Sequence, residues 1–177
     1  VPCDTPAEEI AAKKPAALIL SGGPASVYAE DAPSVDPGVF ELGIPVLGFC
    51  YGQQIMATTL GGSVGHTEKG EYGPAPLTRC DGTDGVPASA LLGDTPAEQT
   101  VWMSHRDAVS EVPEGFVVTS KTDVCPVSSM ECAERKLYAT QFHPEVKHSE
   151  YGNQMLSNFL FNICGLAADW TMDTIIE

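Results

Sequence analysis

The stretch GIPVLGFCYGQQIMATTLGG, residues 43–62, decides the fold. It opens with an apolar run, residues 45–49, that is typical of a buried β-strand. The run stops at Cys50, and the residues that follow favour a helix. Gly48 and Gly52 lie two residues before and two after the cysteine, a spacing that lets a strand turn sharply into a helix. The stretch therefore predicts an elbow that presents Cys50 at a helix N-terminus, where the thiolate is favoured.

Apolar runs and helical patterns precede the elbow. Residues 6–13 are predicted to form a helix, with Thr5 as its capping residue. Residues 16–21 form another buried strand, and residues 37–42 a short helix between the two runs. Two apolar runs separated by helical sequence indicate parallel strands joined by a crossover, and hence an α/β domain.

The second half of the chain is richer in strands. Predicted strands cover residues 100–103, 115–120, 125–130 and 137–142. The polar residues 65–74, with Gly70 and Gly73 as hinges, are interpreted as a loop that reorders when a partner docks. A final helix is predicted after residue 150 from apolar residues at helical spacing, namely Met155, Leu156, Phe159, Leu160 and Ile163. We expect an α/β fold with a mostly parallel central sheet, flanking helices and a smaller antiparallel portion.

Composition narrows the class of protein. A chain of 177 residues with 43% hydrophobic content suits one domain. The net charge of −15 opposes binding to nucleic acid, whose phosphates attract basic surfaces. There is no apolar run of about 18 residues that would span a membrane, and residues 1–10 lack the pattern of a signal peptide. We expect a cytoplasmic protein without a nucleic-acid or membrane partner.

Cysteines and histidines do not follow the spacing of disulfide frameworks or metal sites. The six cysteines are far apart, no CxxC pair occurs, and the four histidines lie in separate segments. Free thiols and no metal site are therefore expected.

A second motif, QFHPEV at residues 141–146, supplies a candidate base. Pro144 favours extended geometry at His143, and residues two apart in extended chain project to the same side. Glu145 can then orient the His143 imidazole, which makes the pair a base in need of a nucleophile. Together with Cys50 they predict a catalytic triad. Taken alone, Cys50 is equally well explained as a buried structural cysteine, and His143 as a hydrogen-bonded residue at a strand end.

Five motifs, in order, resemble the class I glutamine amidotransferase domain: SGGP at 21–24, GFCYGQQ at 48–54, EYG at 71–73, SHRD at 104–107 and QFHPE at 141–145. The CYGQQ elbow, the EYG motif and the pair Trp170 and Thr171 are more similar to the glutaminase domains of GMP synthases. The resemblance covers nearly the whole chain. It implies hydrolysis of glutamine to glutamate and ammonia through a cysteinyl thioester, with the ammonia used to aminate xanthosine monophosphate (XMP) to GMP.

The resemblance also implies a role for individual residues. Cys50 would attack the glutamine amide, His143 would move protons, and Glu145 would orient the imidazole. The backbone N–H groups of Gly23 and Tyr51 would form the oxyanion hole. The substrate contacts implied in the same way are Gly22, Gln54, Ser104, His105 and Asp107.

The resemblance implies a domain plan as well. Residues 1–165 would be the amidotransferase domain, although family members have a strand and helix ahead of the position of Val1. Residues 166–177 would begin a linker to an ATP-pyrophosphatase domain, fused or separate, that lies outside this sequence. ATP and magnesium are expected only there, and no cofactor in residues 1–165. Arg106 replaces a usual family glycine, which implies an extra contact or a different shape in the substrate loop.

Three alternative functions stay open. The domain could serve another glutamine-dependent synthase, because the glutaminase reaction is common to all of them. A related α/β cysteine hydrolase, such as a peptidase, could share the elbow and the histidine. A non-catalytic interaction domain could keep the fold without turnover.

Overall fold

The computed structural model describes residues 1–82 and 85–168, and within them one mixed sheet of seven strands forms the centre. The strands are β1 (Leu18–Leu20), β2 (Val46–Phe49), β3 (Ser63–Arg79), β4 (Glu98–Glu111), β5 (Val117–Lys121), β6 (Ser129–Cys132) and β7 (Leu137–Thr140). The helices are α1 (Ala7–Ala12), α2 (Tyr51–Thr59) and α3 (Gly152–Ser157). Short 3₁₀ turns cover Pro37–Glu41 and Ala133–Arg135, and a π-helical turn, Asn158–Ile163, continues α3.

The strand order is β1-β2-β7-β6-β5-β3-β4. β2 pairs in parallel with β1 on one side and with β7 on the other. The remaining neighbours, from β7 to β4, pair antiparallel. The predicted α/β class with a parallel and an antiparallel portion is confirmed. The expected proportions are wrong: the antiparallel portion, predicted to be the smaller, is the more extensive, because the long β3–β4 hairpin belongs to it.

The prediction of a loop over residues 65–74 is wrong. These residues lie in β3 and pair with β4, from Gly65 opposite Ala108 to Pro74 opposite Trp102. The register shifts between His66 and Glu71, so the ladder is interrupted where the sequence is most polar. Because most of this strand is exposed or half-buried, its sequence lacks the apolar alternation that marks an ordinary strand.

Other details differ from expectation: the strand predicted over residues 100–103 extends as β4 from Glu98 to Glu111, so residues 104–107 lie in a strand and not in a loop. The predicted strand over residues 125–130 begins only at Ser129, because Cys125 starts a turn in which its carbonyl accepts hydrogen bonds from the Thr122 N–H and the Ser128 hydroxyl. Thr5 does not cap α1; its hydroxyl donates to the Pro2 carbonyl at 2.8 Å instead. The Asp36 carboxylate accepts from the Ala7 N–H at 2.8 Å, which lowers the pKa of Asp36.

The predicted apolar face of the last helix is confirmed. Met155 and Phe159 are fully buried, and Leu156, Leu160 and Ile163 pack partly buried against the same cluster. The change to a π-helical turn coincides with Asn158, whose amide donates to the carbonyls of Leu91 at 3.0 Å and Gly93 at 2.7 Å. Among the described residues, no helix combines the length and apolar character needed to cross a membrane. Trp170, Thr171 and most of the predicted linker lie outside the described residues.

The three parallel strands determine where the functional segments meet. The SGGP motif follows β1, Cys50 follows β2, and the His143 segment follows β7. Because parallel strands end at the same edge of a sheet, these segments converge at one place. β1 lies at the border of the sheet, with half of the Ile19 surface exposed.

Candidate active site

Cys50 occupies the sharp turn that the sequence predicts. It lies between β2 and α2 with φ 50° and ψ −105°, a conformation that is unusual for a residue with a side chain. A Cβ atom on Gly48 would lie 2.6 Å from the Gly52 backbone, and one on Gly52 would lie 2.2 Å from the Leu20 carbonyl oxygen. Both glycines are therefore required by close backbone packing, and the predicted elbow is confirmed.

His143 is held next to Cys50 by backbone and side-chain contacts. Its N–H donates to the Trp102 carbonyl at 3.0 Å, and its own carbonyl accepts from the Ser149 hydroxyl at 2.6 Å. Its Nδ1 lies 2.8 Å from Oε1 of Glu145, the contact expected from the HPE spacing. A Cβ atom on Gly22 would lie 3.0 Å from His143 Cε1 and 3.5 Å from Cys50 Cβ, so Gly22 packs between the two side chains.

The electrostatics of His143 suit a proton-transfer role. Its hydrogen bond with Cys50 is the largest cause of a pKa raised to about 9, and the hydrogen bond with Glu145 adds to it against the opposing effect of burial. The imidazole is therefore protonated at neutral pH, beside the sulfur. A protonated imidazole next to a thiol can stabilise a thiolate and then donate its proton to a leaving group.

Gly23 and Tyr51, the residues predicted to form the oxyanion hole, lie close together near Cys50. Tyr51 is the first residue of α2, and the first N–H groups of a helix have no carbonyl in a preceding turn to bind. A Cβ atom on Gly23 would lie 3.9 Å from the Tyr51 Cβ, which places the SGGP loop against the start of this helix. The structure thus brings the two predicted oxyanion-hole residues next to one another.

A cavity of about 390 Å³ opens beside Cys50. Its walls include five predicted residues, namely Gly23, Gln54, Ser104, His105 and Asp107. A second cavity of about 240 Å³ borders Gly22, Gly23 and Tyr51 from the side of α1 and β1. Because Cys50 lines the first cavity and does not line the second, the first is the candidate substrate pocket.

The polar walls of this pocket are formed by α2 and β4. Gln54 is buried, and its Nε2 donates to the Asp107 carbonyl at 2.7 Å and to Gln141 Oε1 at 3.1 Å. Both amide hydrogens are thereby used, which leaves its Oε1 to accept from a ligand. The Asp107 carboxylate accepts from the Ser26 hydroxyl at 2.7 Å and contacts the His66 ring. The Ser104 carbonyl lies 3.7 Å from Cys50 Sγ.

The walls also contain residues for which the sequence predicted no role. His66 and Tyr72 come from β3 and Ser26 from the loop after β1. The segment containing the first two was interpreted as a loop, and only their position across from Asp107 and Ser104 in the ladder brings them to the pocket. Arg106, which replaces a family glycine, also borders the pocket.

One cluster combines three types of potential metal ligand. Glu71, His105 and Cys125 each place one such atom within 4.8 Å of the others, a grouping that their spacing in the sequence did not predict. Glu71 and His105 already bond to each other at 3.0 Å. Burial raises the pKa of the Cys125 thiol to about 12, which keeps its sulfur protonated. These contacts describe a hydrogen-bond network, and we assign no metal to it.

Comparison with known proteins gives a consistent family. Residues 1–163 match the family model described as glutamine amidotransferase class-I. Over 177 residues the chain is 54% identical to the glutamine-hydrolysing GMP synthase of Streptomyces coelicolor, covering 100% of this chain and 33% of that protein. The chain thus spans about a third of the length of the curated relatives it matches.

Solved structures give the same picture for the fold. A Thermoplasma acidophilum protein, assigned provisionally as one of the subunits of a GMP synthase, superposes with a TM-score of 0.76 at 31% identity, covering 93% of this chain and 79% of that one. A glutamine amidotransferase from Thermotoga maritima superposes with a TM-score of 0.62 at 21% identity, covering 85% and 63% of the two chains. The second likeness shows the fold alone.

Proposed function

Because the chain belongs to the class-I glutamine amidotransferase family, we propose that it hydrolyses the side-chain amide of glutamine to glutamate and ammonia at Cys50. The observation that carries this proposal is the contact of His143 with both Cys50 and Glu145, since Cys50 also lines the pocket that contains Gln54 and Asp107. A nucleophile, a base and an orienting carboxylate in this arrangement are the requirements of acyl transfer.

The first chemical step forms a thioester. The Cys50 thiolate attacks the amide carbon, and the oxygen of the tetrahedral intermediate accepts from the backbone N–H groups of Gly23 and Tyr51. The imidazolium of His143 donates its proton to the departing nitrogen as the C–N bond breaks. Ammonia leaves, and the glutamyl group remains on the sulfur.

The second step hydrolyses the thioester. Neutral His143 takes a proton from water, whose oxygen attacks the thioester carbon. The same two N–H groups stabilise the second oxyanion, the C–S bond breaks, and glutamate leaves. The step regenerates the thiolate beside a protonated imidazole, so the cycle needs no cofactor in residues 1–165.

The pocket provides acceptors for the amino-acid end of glutamine. Gln54 Oε1 and the Asp107 carboxylate can both accept from the substrate ammonium, once the substrate replaces the contacts of Ser26 and His66 with Asp107. The guanidinium of Arg106 borders the same pocket and can attract the substrate carboxylate. Glutamine is therefore favoured over a peptide, whose backbone lacks the free ammonium and carboxylate.

We further propose that the ammonia aminates XMP to GMP. Support comes from the 54% identity to a glutamine-hydrolysing GMP synthase over the full length of this chain. In this proposal residues 1–165 are the glutaminase domain, and residues 166–177 lead towards an ATP-pyrophosphatase partner, fused or separate, that uses ATP and magnesium in the cytoplasm. The activity of the complete enzyme, its substrates and its partner all belong to the proposal.

Measurement of glutamate release tests both proposals, the hydrolysis of glutamine and its coupling to a GMP synthase partner. The purified chain is assayed with free glutamine and with a panel of glutamine-containing peptides, before and after addition of a GMP synthase pyrophosphatase part with ATP, magnesium and XMP. We expect glutamate from free glutamine only, with a higher rate when the partner and its nucleotides are present. Cleavage of peptides in preference to glutamine would favour a cysteine hydrolase. No turnover with the complete set would favour a non-catalytic domain.

A further inference from the structure

His105 is a buried side chain whose two ring nitrogens both face acceptors. It lies on β4 directly across the ladder from Glu71 on β3, and its side chain is 1% exposed. Nδ1 lies 3.1 Å from the Asp107 carbonyl oxygen, which can only accept. Nε2 lies 3.0 Å from Glu71 Oε2, so one proton must lie between this nitrogen and this oxygen.

Thr122 determines the hydrogen-bonding role of Glu71. The Thr122 hydroxyl oxygen accepts from the backbone N–H of Cys125 at 2.9 Å and of Val124 at 3.3 Å. Its own hydrogen is then free to donate to the Glu71 carboxylate, whose oxygens lie at 2.8 and 3.0 Å. Glu71 therefore accepts a hydrogen bond from Thr122 as well as from His105.

The shared proton belongs on the imidazole. Because the Thr122 hydroxyl donates to the Glu71 carboxylate, both carboxylate oxygens act as acceptors, and Nε2 of His105 is the donor in its contact with Oε2. Two other titratable side chains lie near the pair: the Cys125 thiol, which is grouped with Glu71 and His105, and Asp107, two residues beyond His105 on β4. Neither competes for the Nε2 proton.

We propose that Glu71 and Thr122 are positioning residues that hold His105 as an imidazolium, and that this imidazolium fixes the segment 104–107 against Cys50 for binding glutamine. The Asp107 carbonyl accepts from both His105 Nδ1 and Gln54 Nε2, so one anchored oxygen connects β4 to the helix that follows the nucleophile. The proposal rests on the glutaminase function proposed above.

The positions of His105 and Glu71 also determine the direction of the electric field of their ion pair. His105 borders the glutamine pocket, whereas Glu71 borders a different cavity formed with Thr122 and Pro74. The positive end of the ion pair thus faces the pocket and the negative end faces away. Such a dipole attracts the substrate carboxylate without adding net charge to the protein.

The substitution Glu71→Gln separates charge from geometry. The glutamine oxygen can still accept from Thr122, and its amide can donate to Nε2 of a neutral His105 that keeps its Nδ1 hydrogen bond. The shorter bond from Thr122 and the contact with Nε2 are retained, and the charges are lost. We expect the KM for glutamine to rise about tenfold while kcat changes by less than about twofold, because charge-assisted hydrogen bonds are about twice as strong as neutral ones. The matched control Glu111→Gln alters an exposed carboxylate of the same hairpin that accepts from Ser63, and should leave KM unchanged.

Nitrogen-15 NMR of the full chain at neutral pH provides the decisive readout, because it needs neither a variant nor turnover. We expect both ring nitrogens of His105 to carry protons in the wild type, and one of them in Glu71→Gln. If Glu71→Gln does not fold, Thr122→Val removes the carboxylate's second donor and should raise KM in the same direction. A single protonated nitrogen in the wild type, or an unchanged KM in a folded Glu71→Gln, would overturn the proposal. Absence of glutaminase activity would instead refute the proposed function and leave the NMR result standing.

Discussion

The cysteine elbow and the β3–β4 hairpin meet at one pocket, but they are specified in different ways. The elbow depends on residues close in sequence, since Gly48 and Gly52 pack against each other on either side of Cys50. The hairpin depends on partners far apart, such as Glu71 and His105, separated by 34 positions. The elbow is therefore encoded locally, whereas the hairpin site exists only after two strands have paired in the correct register.

The two regions also have different roles in the proposed reaction. The parallel half of the sheet supplies the nucleophile, the base and the N–H donors, all of which act on the reacting amide. The hairpin supplies Asp107, His105 and Arg106, which lie where the amino-acid end of glutamine would bind. We therefore expect changes at the elbow and its base to lower kcat, and changes in the hairpin to raise KM.

The substitution Cys50→Ala is the strongest test of this division. Removal of the nucleophile abolishes thioester formation, so glutamate release should fall by a factor of about 10⁴ or more. Kinetics of the variant, and peptide mapping of the wild type after treatment with a glutamine-mimicking electrophile, measure the effect. Cys3→Ala, at an exposed thiol, is the control. Retained activity in Cys50→Ala, or labelling mainly at another cysteine, would remove the elbow from the chemistry.

The two partners of the nucleophile should have unequal effects. His143→Ala removes the group that transfers protons and should lower kcat by about 10³-fold. Glu145→Gln keeps a side chain that can accept from Nδ1, and the carboxylate is 42% exposed, so a smaller loss of about 10- to 100-fold is expected. Measurement of kcat and KM for both variants decides the matter. Near-wild-type rates in both would mean that the HPE motif is only a structural strand end.

The elbow could be predicted from the amino-acid sequence, whereas the hairpin could not. The apolar run, the glycine spacing and the HPE motif are local patterns, and the structure brings Cys50, His143 and Glu145 together as they indicate. β3 offers no such pattern, because its polar residues and register shift resemble a loop. His66 is the clearest example, since its contact with Asp107 follows only from the cross-strand pairing.

The family resemblance supplied what local patterns did not. The EYG and SHRD motifs marked Glu71 and His105 by similarity, but the ion pair between them follows from strand pairing alone. Thr122 had no signal in the sequence, since its importance comes from which of its hydrogen bonds are donated and which are accepted. Hydrogen-bond direction is a property of the packed structure and leaves little trace in residue spacing.

The pH dependence of activity should report on His143. Its pKa of about 9 lies above the ordinary value of 6.5, so the imidazolium required by the leaving group is present at neutral pH and is lost as pH rises through about 9. We expect kcat/KM to fall about tenfold for each pH unit above that value. The same sign applies to stability: the contribution of the raised pKa is fully present below about 6.5 and disappears as pH rises through 9.

A variant tests whether His143 causes this fall in kcat/KM at alkaline pH, called here the alkaline limb. Glu145→Gln removes a cause of the raised pKa, so its limb should move to lower pH, whereas Arg106→Gly in the hairpin should leave the limb in place. A limb that stays near pH 9 in Glu145→Gln would show that another group controls it. An alkaline limb that moves in Arg106→Gly would mean that the hairpin also influences the titration of His143.

The smallest expected effect is at Arg106, where this chain departs from the family glycine. Arg106 is exposed and borders the pocket, and within the described residues it is not among the non-glycine positions with positive φ. Its backbone therefore does not require glycine, and Arg106→Gly mainly removes a guanidinium. Because exposed ion pairs contribute about 1 kcal/mol or less, we expect KM for glutamine to rise by at most about fivefold, with kcat unchanged. Arg106→Lys should restore part of the loss, and Arg135→Ala, which breaks a surface pair with Glu41 away from the pocket, should do nothing. A fall in kcat with KM unchanged would place Arg106 in the chemical step, and the hairpin could no longer be described as a binding element alone.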